Sequence, residues 1–191
     1  IEEGTQRIKH IVDELRDYAR EKPAELTEDV NINKVIESSL FLLKNLIKKS
    51  TSAFYVTYAK DLPTIKGNFQ SLEQVVINLL QNSCQAFGGD PGEISVITFH
   101  DDKAGRVCLQ VNDTGCGIPE EAIKRVTDPF FTTRRTEGGT GLGLAVTQTI
   151  VSRHGGRLDF ASEPSEGTTV RVFLPVNEDR EGKNEGQHAI Q

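Results

Sequence analysis

Two pairs of β-rich runs, each joined by a connection too short to hold a crossover helix, constrain this chain more than any other feature. "EISVITFH" at 93–100 reaches "RVCLQVND" at 106–113 through "DDKAG", and "RLDFAS" at 157–162 reaches "TTVRVFLP" at 168–175 through "EPSEG". Short connections of this kind make hairpins and therefore antiparallel neighbours. Helical patterns alternate with these runs. Asn33 is placed to cap a helix from about Lys34 to Lys48, "FYVTYA" at 54–59 reads as a strand, and "FQSLEQVVINLLQNSCQAF" at 69–87 reads as a second helix ended by Gly88, Gly89 and Pro91. A third helix is expected from about Leu142 to Arg153. The expected fold class is α/β: a two-layer sandwich of a mixed, mostly antiparallel sheet covered on one face by helices.

Ahead of this unit, residues 1–22 place Ile8, Ile11, Val12, Leu15, Tyr18 and Ala19 at three- and four-residue spacing, which predicts one amphipathic helix. Alone it cannot bury its stripe, so it needs a partner helix or a second copy of the chain. Pro23 and the polar stretch after it mark a linker at 23–29, the main domain is expected at 30–176, and 177–191 lacks periodicity and reads as a frayed tail. A length of 191 residues suits one substantial core plus this appendage. The chain has no methionine and begins at Ile1, the expected look of a piece cut from a longer protein.

A formal net charge of −6 argues against a broad nucleic-acid surface. No apolar run approaches the roughly 18 residues of a membrane span, and no signal peptide opens the chain. Cys84, Cys108 and Cys116 are odd in number and lack metal-ligand spacing, so they are expected to be reduced, small buried hydrophobes of a cytoplasmic domain.

The glycine-rich stretch "EGGTGLGLAV" at 137–146 runs straight into the third helix, and such backbone suits close approach of an anion at a helix N-terminus. A P-loop is excluded because no lysine follows Gly143, and the dinucleotide fingerprint is excluded by spacing and by the loop-like residues before it. A plain linker remains the bland alternative. On the second helix Asn78 and Asn82 are four apart and share a face: either exposed polar residues, or amides of which one completes the shell of a Mg²⁺ held mainly by phosphates and water. In "NDTGCGI" at 112–118, Asp113 ends a strand and could accept from an exocyclic amine, or sit in an ordinary Asp-Thr-Gly turn. In "DPFFTTRRTEGG", Phe130 and Phe131 are a plug for a mobile loop or core fill, and Arg134 and Arg135 are phosphate partners or solvated loop charges.

The order of these four motifs, from Asn-x₃-Asn through Asp-x-Gly-x-Gly and Phe-Phe to Gly-Thr-Gly-Leu-Gly-Leu, resembles the ATP-binding domain of sensor histidine kinases. That domain is a branch of the ATPase superfamily shared with type II topoisomerases, heat-shock chaperones and mismatch-repair ATPases. The stretches "VINLLQNSCQAF", "DPFFTTR" and "GTGLGLAV" look closest to the nitrogen-regulatory type. The resemblance implies that ATP and Mg²⁺ are bound, with Asn82 on the metal and Asn78 supporting the phosphate end. It implies that Asp113 reads adenine with Thr168, that Gly115, Gly117 and Ile118 shape the base pocket, and that Gly139, Thr140, Gly141, Leu142, Gly143 and Leu144 form the lid hinge and the helix start. Phe130 and Phe131 would anchor the lid, and Arg134 or Arg135 would meet phosphate.

Residues 1–22 resemble the second helix of the family's dimerisation and phosphoacceptor hairpin. The His box, a histidine followed by an acidic residue and then a proline, is absent: of His10, His100, His154 and His188, only His100 has an acidic neighbour, and no proline follows it. His100 ends a strand at a hairpin and is expected at the surface. The implied partners are a response-regulator receiver domain, the His-box helix of the longer kinase, and a second copy through residues 1–22. A non-catalytic nucleotide-sensing scaffold and a protein-serine kinase of the anti-sigma type remain the alternatives.

Overall fold

The computed structural model describes residues 25–89, 91–134 and 139–177. The expected helix at 1–22 lies outside them, as does the expected tail at 177–191 apart from Asn177, whose backbone N–H donates to the Thr64 carbonyl at 3.0 Å. Strands β1 (Glu28–Val30), β2 (Ala53–Thr57), β3 (Ile65–Gly67), β4 (Glu93–Asp101), β5 (Arg106–Asp113), β6 (Arg157–Glu163) and β7 (Gly167–Pro175) alternate with helices α1 (Ile32–Ser50), α2 (Phe69–Gln85), α3 (Glu120–Ile123) and α4 (Gly143–Arg153). The main sheet runs β2-β4-β5-β7-β6. Only β2 and β4 pair in parallel, and the other neighbours are antiparallel, so both expected hairpins form. A two-stranded sheet of β1 and β3 begins inside the stretch read as linker.

Helices α1 and α2 start where short polar side chains satisfy free N–H groups. The cap of α1 is Asn31, not Asn33: Asn31 Oδ1 accepts from the backbone N–H of Asn33 at 2.9 Å and of Lys34 at 3.3 Å. Asn33 is used elsewhere, donating to the Ala59 carbonyl at 3.1 Å and accepting from the Thr98 hydroxyl at 2.8 Å. Asn68 caps α2 by accepting from Ser71 N–H at 2.9 Å. Lys48 and Lys49 close the last turn of α1, where the helix dipole favours positive charge.

Strand pleating sends Ile94 and Val96 of β4, Val107, Leu109 and Val111 of β5, and Val170, Val172 and Leu174 of β7 into one core. Across from them α2 contributes Leu72, Val75, Val76, Leu79 and Leu80, each at most 2% exposed. Burial of each such side chain contributes about 1.5–3 kcal/mol relative to leaving it in water. The alternate residues face away from this core, and there Asn112 takes hydrogen bonds from Gln110 and Thr169 and donates to Ser95 Oγ, while Arg171 donates to Gln110. A face satisfied by its own polar ladder needs no covering helix, which explains the two-layer form. His154 ties the layer of helices together. It is 5% exposed, accepts from the Asn68 N–H through Nε2 at 3.1 Å and donates through Nδ1 to the Ile150 carbonyl at 2.8 Å.

Candidate functional site

A cleft opens at the end of β5, between α2 and the stretches 131–134 and 139–144. Its centre is Asp113, 8% exposed. One carboxylate oxygen accepts from Gly115 N–H at 3.0 Å and the other from the Ser83 hydroxyl at 3.1 Å. Burial pushes this carboxyl above its ordinary pKa, and the Gly115 N–H, the Ser83 hydroxyl, the Thr168 N–H and the Arg134 charge, in that order, pull it back. Thr168 lies directly across from Asp113 in the β5–β7 register. Phe160 and Val170 provide an apolar floor beside the carboxylate, and Ile118 and Val126 join them.

The turn after Asp113 is laced to both layers. Cys116 N–H donates to the Ala86 carbonyl at 2.9 Å, and Ile118 N–H donates to Ser162 Oγ at 2.8 Å, itself 2.9 Å from Thr168 Oγ1. Gly117 has φ +67°, and a Cβ there would run into the Glu163 carbonyl, so glycine is required. Gly115 does not line the cleft; it acts through its N–H. Cys84 and Cys108 are buried as expected, but Cys116 is exposed, because this turn holds it outward 3.7 Å from the Arg134 guanidinium.

The two amides of α2 divide their work. Asn78 is 5% exposed and donates to the Gly143 carbonyl at 2.9 Å and to Thr147 at 3.3 Å, while accepting from Gln74 at 2.8 Å. It therefore fastens α4 to α2. Asn82, one turn on, lines the cleft, and its side-chain nitrogen is buried without a hydrogen-bond partner. A buried amide left this way costs about 1–3 kcal/mol unless something else satisfies it.

On the opposite wall, two chain segments close on each other. Phe130 N–H donates to the Gly141 carbonyl at 2.9 Å, and Gly139 N–H donates to the Arg134 carbonyl at 3.1 Å. Gly141 has φ +71° and packs against the backbone of Phe130 and Phe131. Phe131 lines the cleft with the Arg125 guanidinium 4.6 Å from its ring centre. Phe130 does not anchor the loop to the core: at φ +66° its ring turns outward and is 55% exposed. Gly139, Thr140, Gly141, Gly143, Leu144 and Arg134 all line the cleft, whereas Leu142 is fully buried behind it. Arg135 lies outside the described residues. Helix α4 starts at Gly143 with no side-chain cap, so its first N–H groups remain available at the cleft.

The comparisons with known proteins meet this geometry directly. A sequence model of the family described as "Histidine kinase-, DNA gyrase B-, and HSP90-like ATPase" matches residues 67–178, a span holding α2, Asp113, the glycine segment and Thr168. The chain belongs to that ATPase family. Sequence relatives of this ATPase domain include a putative sensor protein of Shewanella frigidimarina, 38% identical over 92% of this chain and 26% of the relative. The sensor histidine kinase ZraS of Escherichia coli is 37% identical over 90% of this chain and 36% of its own length. The chain thus spans between about a quarter and a third of those two relatives. Among solved structures, the catalytic domain of histidine kinase ThkA aligns at 29% identity with TM-score 0.67, covering 78% of this chain and 97% of that one. ThkA in complex with the response regulator protein TrrA aligns at 26% identity with TM-score 0.75, covering 92% of this chain and 49% of that one. The ATPase domain described here is thus of the sensor histidine kinase type.

Sequence reasoning missed Ser83, since a serine beside Asn82 carries no mark of a carboxylate 30 residues away. It also missed the Phe160–Val170 floor, which reads as ordinary strand alternation. His100 is half-buried rather than at the surface, with Nδ1 2.7 Å from Asp102. Among the described residues no helix is long and apolar enough to cross a membrane.

Proposed function

We propose that the cleft binds ATP with Mg²⁺, and that the protein to which this domain belongs transfers the γ-phosphoryl group to a histidine and then to an aspartate of a response regulator. The observation that carries the reading is the buried Asp113 carboxylate, held by Ser83 and Gly115 beside an apolar floor, with free helix N–H groups at the far end of the same cleft. A fixed carboxylate accepts from an exocyclic amine and rejects a carbonyl, favouring adenine over guanine. Ile118, Phe160 and Val170 would exclude water from the base. The N-terminus of α4 and Arg134 would face the phosphates.

Among the described residues no group of three or more His, Cys, Asp or Glu side chains could hold a metal, so a divalent cation must rest chiefly on ligand oxygens. Asn82 lines the cleft, where its amide oxygen would take one position in such a shell and its Nδ2, unpartnered in this structure, would donate to a ligand oxygen. When bound, Mg²⁺ would neutralise charge on the phosphate oxygens. The residues of this chain position the nucleotide, and phosphoryl transfer of this kind is accelerated mainly by positioning and charge stabilisation. His154 cannot serve as acceptor, since both ring nitrogens are engaged and the ring is buried. With no His box elsewhere in the sequence, the chain is not expected to label itself.

Isothermal calorimetry of Mg-ATP on the chain and on Asp113→Asn tests the reading. Removing a charge-assisted hydrogen bond of about 1.5–3 kcal/mol should weaken binding about 10- to 100-fold. No saturable binding by the parent chain, or equal binding by both, sinks it. Acid-labile label on the chain after incubation with γ-labelled ATP would contradict the missing acceptor.

A further inference from the structure

Where the β6–β7 hairpin reaches the cleft, the Ser162 hydroxyl meets the Ile118 N–H, the Gly167 carbonyl and the Thr168 hydroxyl. Ser162 and Thr168 are direct partners in the strand register. Ser162 Oγ accepts from Ile118 N–H at 2.8 Å and lies 2.8 Å from the Gly167 carbonyl and 2.9 Å from Thr168 Oγ1. The last two are short contacts between oxygens, and each needs a proton between them, since facing lone pairs repel. A serine hydroxyl has one proton. The carbonyl has none to give, so the Ser162 proton goes to Gly167 and Thr168 must supply the other. Ser162 is then saturated, with both lone pairs taken by the Ile118 N–H and the Thr168 O–H.

Thr168, 9% exposed, lines the cleft, whereas Ser162 does not. With its proton spent on Ser162, the Thr168 hydroxyl turns only lone pairs to the cleft. Ser83 is in the same state, because its proton goes to Asp113 Oδ2. We infer that Ser162 is a positioning residue for base selection: it holds the Thr168 hydroxyl as an acceptor, so that the Asp113, Ser83 and Thr168 side chains all accept and none donates. On the reading of the cleft as a nucleotide site, on which this role rests, a 6-amino base meets these acceptors with its own N–H groups. A water that donates to Thr168 keeps a second proton for the bare N1 of such a base. A 6-oxo base brings a carbonyl, and no side chain of the three has a proton to turn towards it. Released from Ser162, the Thr168 hydroxyl rotates about its Cβ–Oγ1 bond and offers that proton.

Calorimetry of the 191-residue chain with Mg-ATP and Mg-ITP tests the role, because inosine triphosphate differs from ATP only by a 6-carbonyl and an N1–H. The parent should prefer ATP by about 100-fold or more. Ser162→Ala should cut that preference about tenfold, the equivalent of about one hydrogen bond, with ATP weakened and ITP held or tightened. Ser162→Cys, whose thiol is weak both as donor and as acceptor, should lower it in the same direction while keeping a side chain at the position. Thr168→Val should also lower the preference, and adding Ser162→Ala to it should change it no further, since Ser162 acts through Thr168. The preference is a ratio of affinities on one preparation, so a partly unfolded variant loses binding sites for both nucleotides and leaves the ratio unaltered. Equal weakening of ATP and ITP by the Ser162 substitutions marks a structural role alone and overturns the inference while the nucleotide reading stands. A further fall when Ser162→Ala is added to Thr168→Val, or a parent that binds both nucleotides alike, does the same. A parent that binds neither overturns both.

Discussion

Alanine substitutions at Gly141 and Gly143, two residues apart in one glycine segment, should have opposite effects on stability. At Gly141 the backbone has φ +71°, and a Cβ would meet Phe130 C at 2.5 Å and Phe131 O at 2.7 Å, both backbone atoms that cannot rotate away. The left-handed conformation costs alanine about 1–2 kcal/mol, and displacing the turn sacrifices the Phe130 N–H to Gly141 hydrogen bond, about 1 kcal/mol more. Gly141→Ala should therefore destabilise by about 2–3 kcal/mol. At Gly143 the nearest heavy atom is Asn78 Cγ at 3.8 Å, ordinary contact, and the residue is helical. Gly143→Ala should stabilise, by up to about 1 kcal/mol from helix propensity. Urea unfolding gives the global difference, and exchange of the Phe130 amide catches the case in which the loop loosens without the core. If Gly143 instead serves close approach of a phosphate, Gly143→Ala loses ATP affinity while gaining stability, which separates the two uses of glycine. Equal stability of the two variants, with equal Phe130 exchange, would refute the packing argument.

Two further outcomes follow from titratable groups. Burial lowers the pKa of His154, opposed by the Ile150 carbonyl, so the neutral ring is the folded form. Its contribution is complete above the unfolded value of 6.5 and is lost as pH falls from there through the lowered folded pKa. Urea midpoints at pH 7.5 and 5.5 should differ less in His154→Gln than in the parent. Asp113, with its raised pKa, acts with the opposite sign in both proteins and cancels from the comparison. Burial pushes the Cys108 thiol up to about 12, and Cys84 is also buried, so a thiol reagent at pH 8 should modify Cys116 alone at once and the other two only on unfolding. Rapid reaction of all three would contradict the burial.

Local features were legible and non-local ones were not. Both hairpins and α2 follow from alternation and helical spacing, which depend on neighbours within a few residues. The cap of α1 was misread because two asparagines compete, and the choice rests on Thr98 and Ala59 taking Asn33 from 65 and 26 residues away. Strands β1 and β3, three residues each, are too short to show alternation, and the parallel pairing of β2 with β4 has no local mark. At the site, Asp113, Asn82 and the glycine segment were found by their order in the chain. The outward turn of Phe130 was missed, because it follows from the fit of Gly141 against the loop rather than from the Phe-Phe pair itself.

The pairing of β5 with β7 has a consequence for the order in which the molecule can assemble. Strands β4 and β5 are joined locally, as are β6 and β7, but Asp113 meets Thr168 only when the two hairpins join across a long span of chain. Closing a loop of that length costs entropy before any contact rewards it. The seam between the hairpins is also the floor of the cleft, with Asp113 on one side and Thr168 and Val170 on the other. No partly folded form lacking this seam contains the site. A ligand of the cleft therefore holds the two halves of the sheet together, and a chain cut or stalled before β7 has the carboxylate but nothing for it to work against.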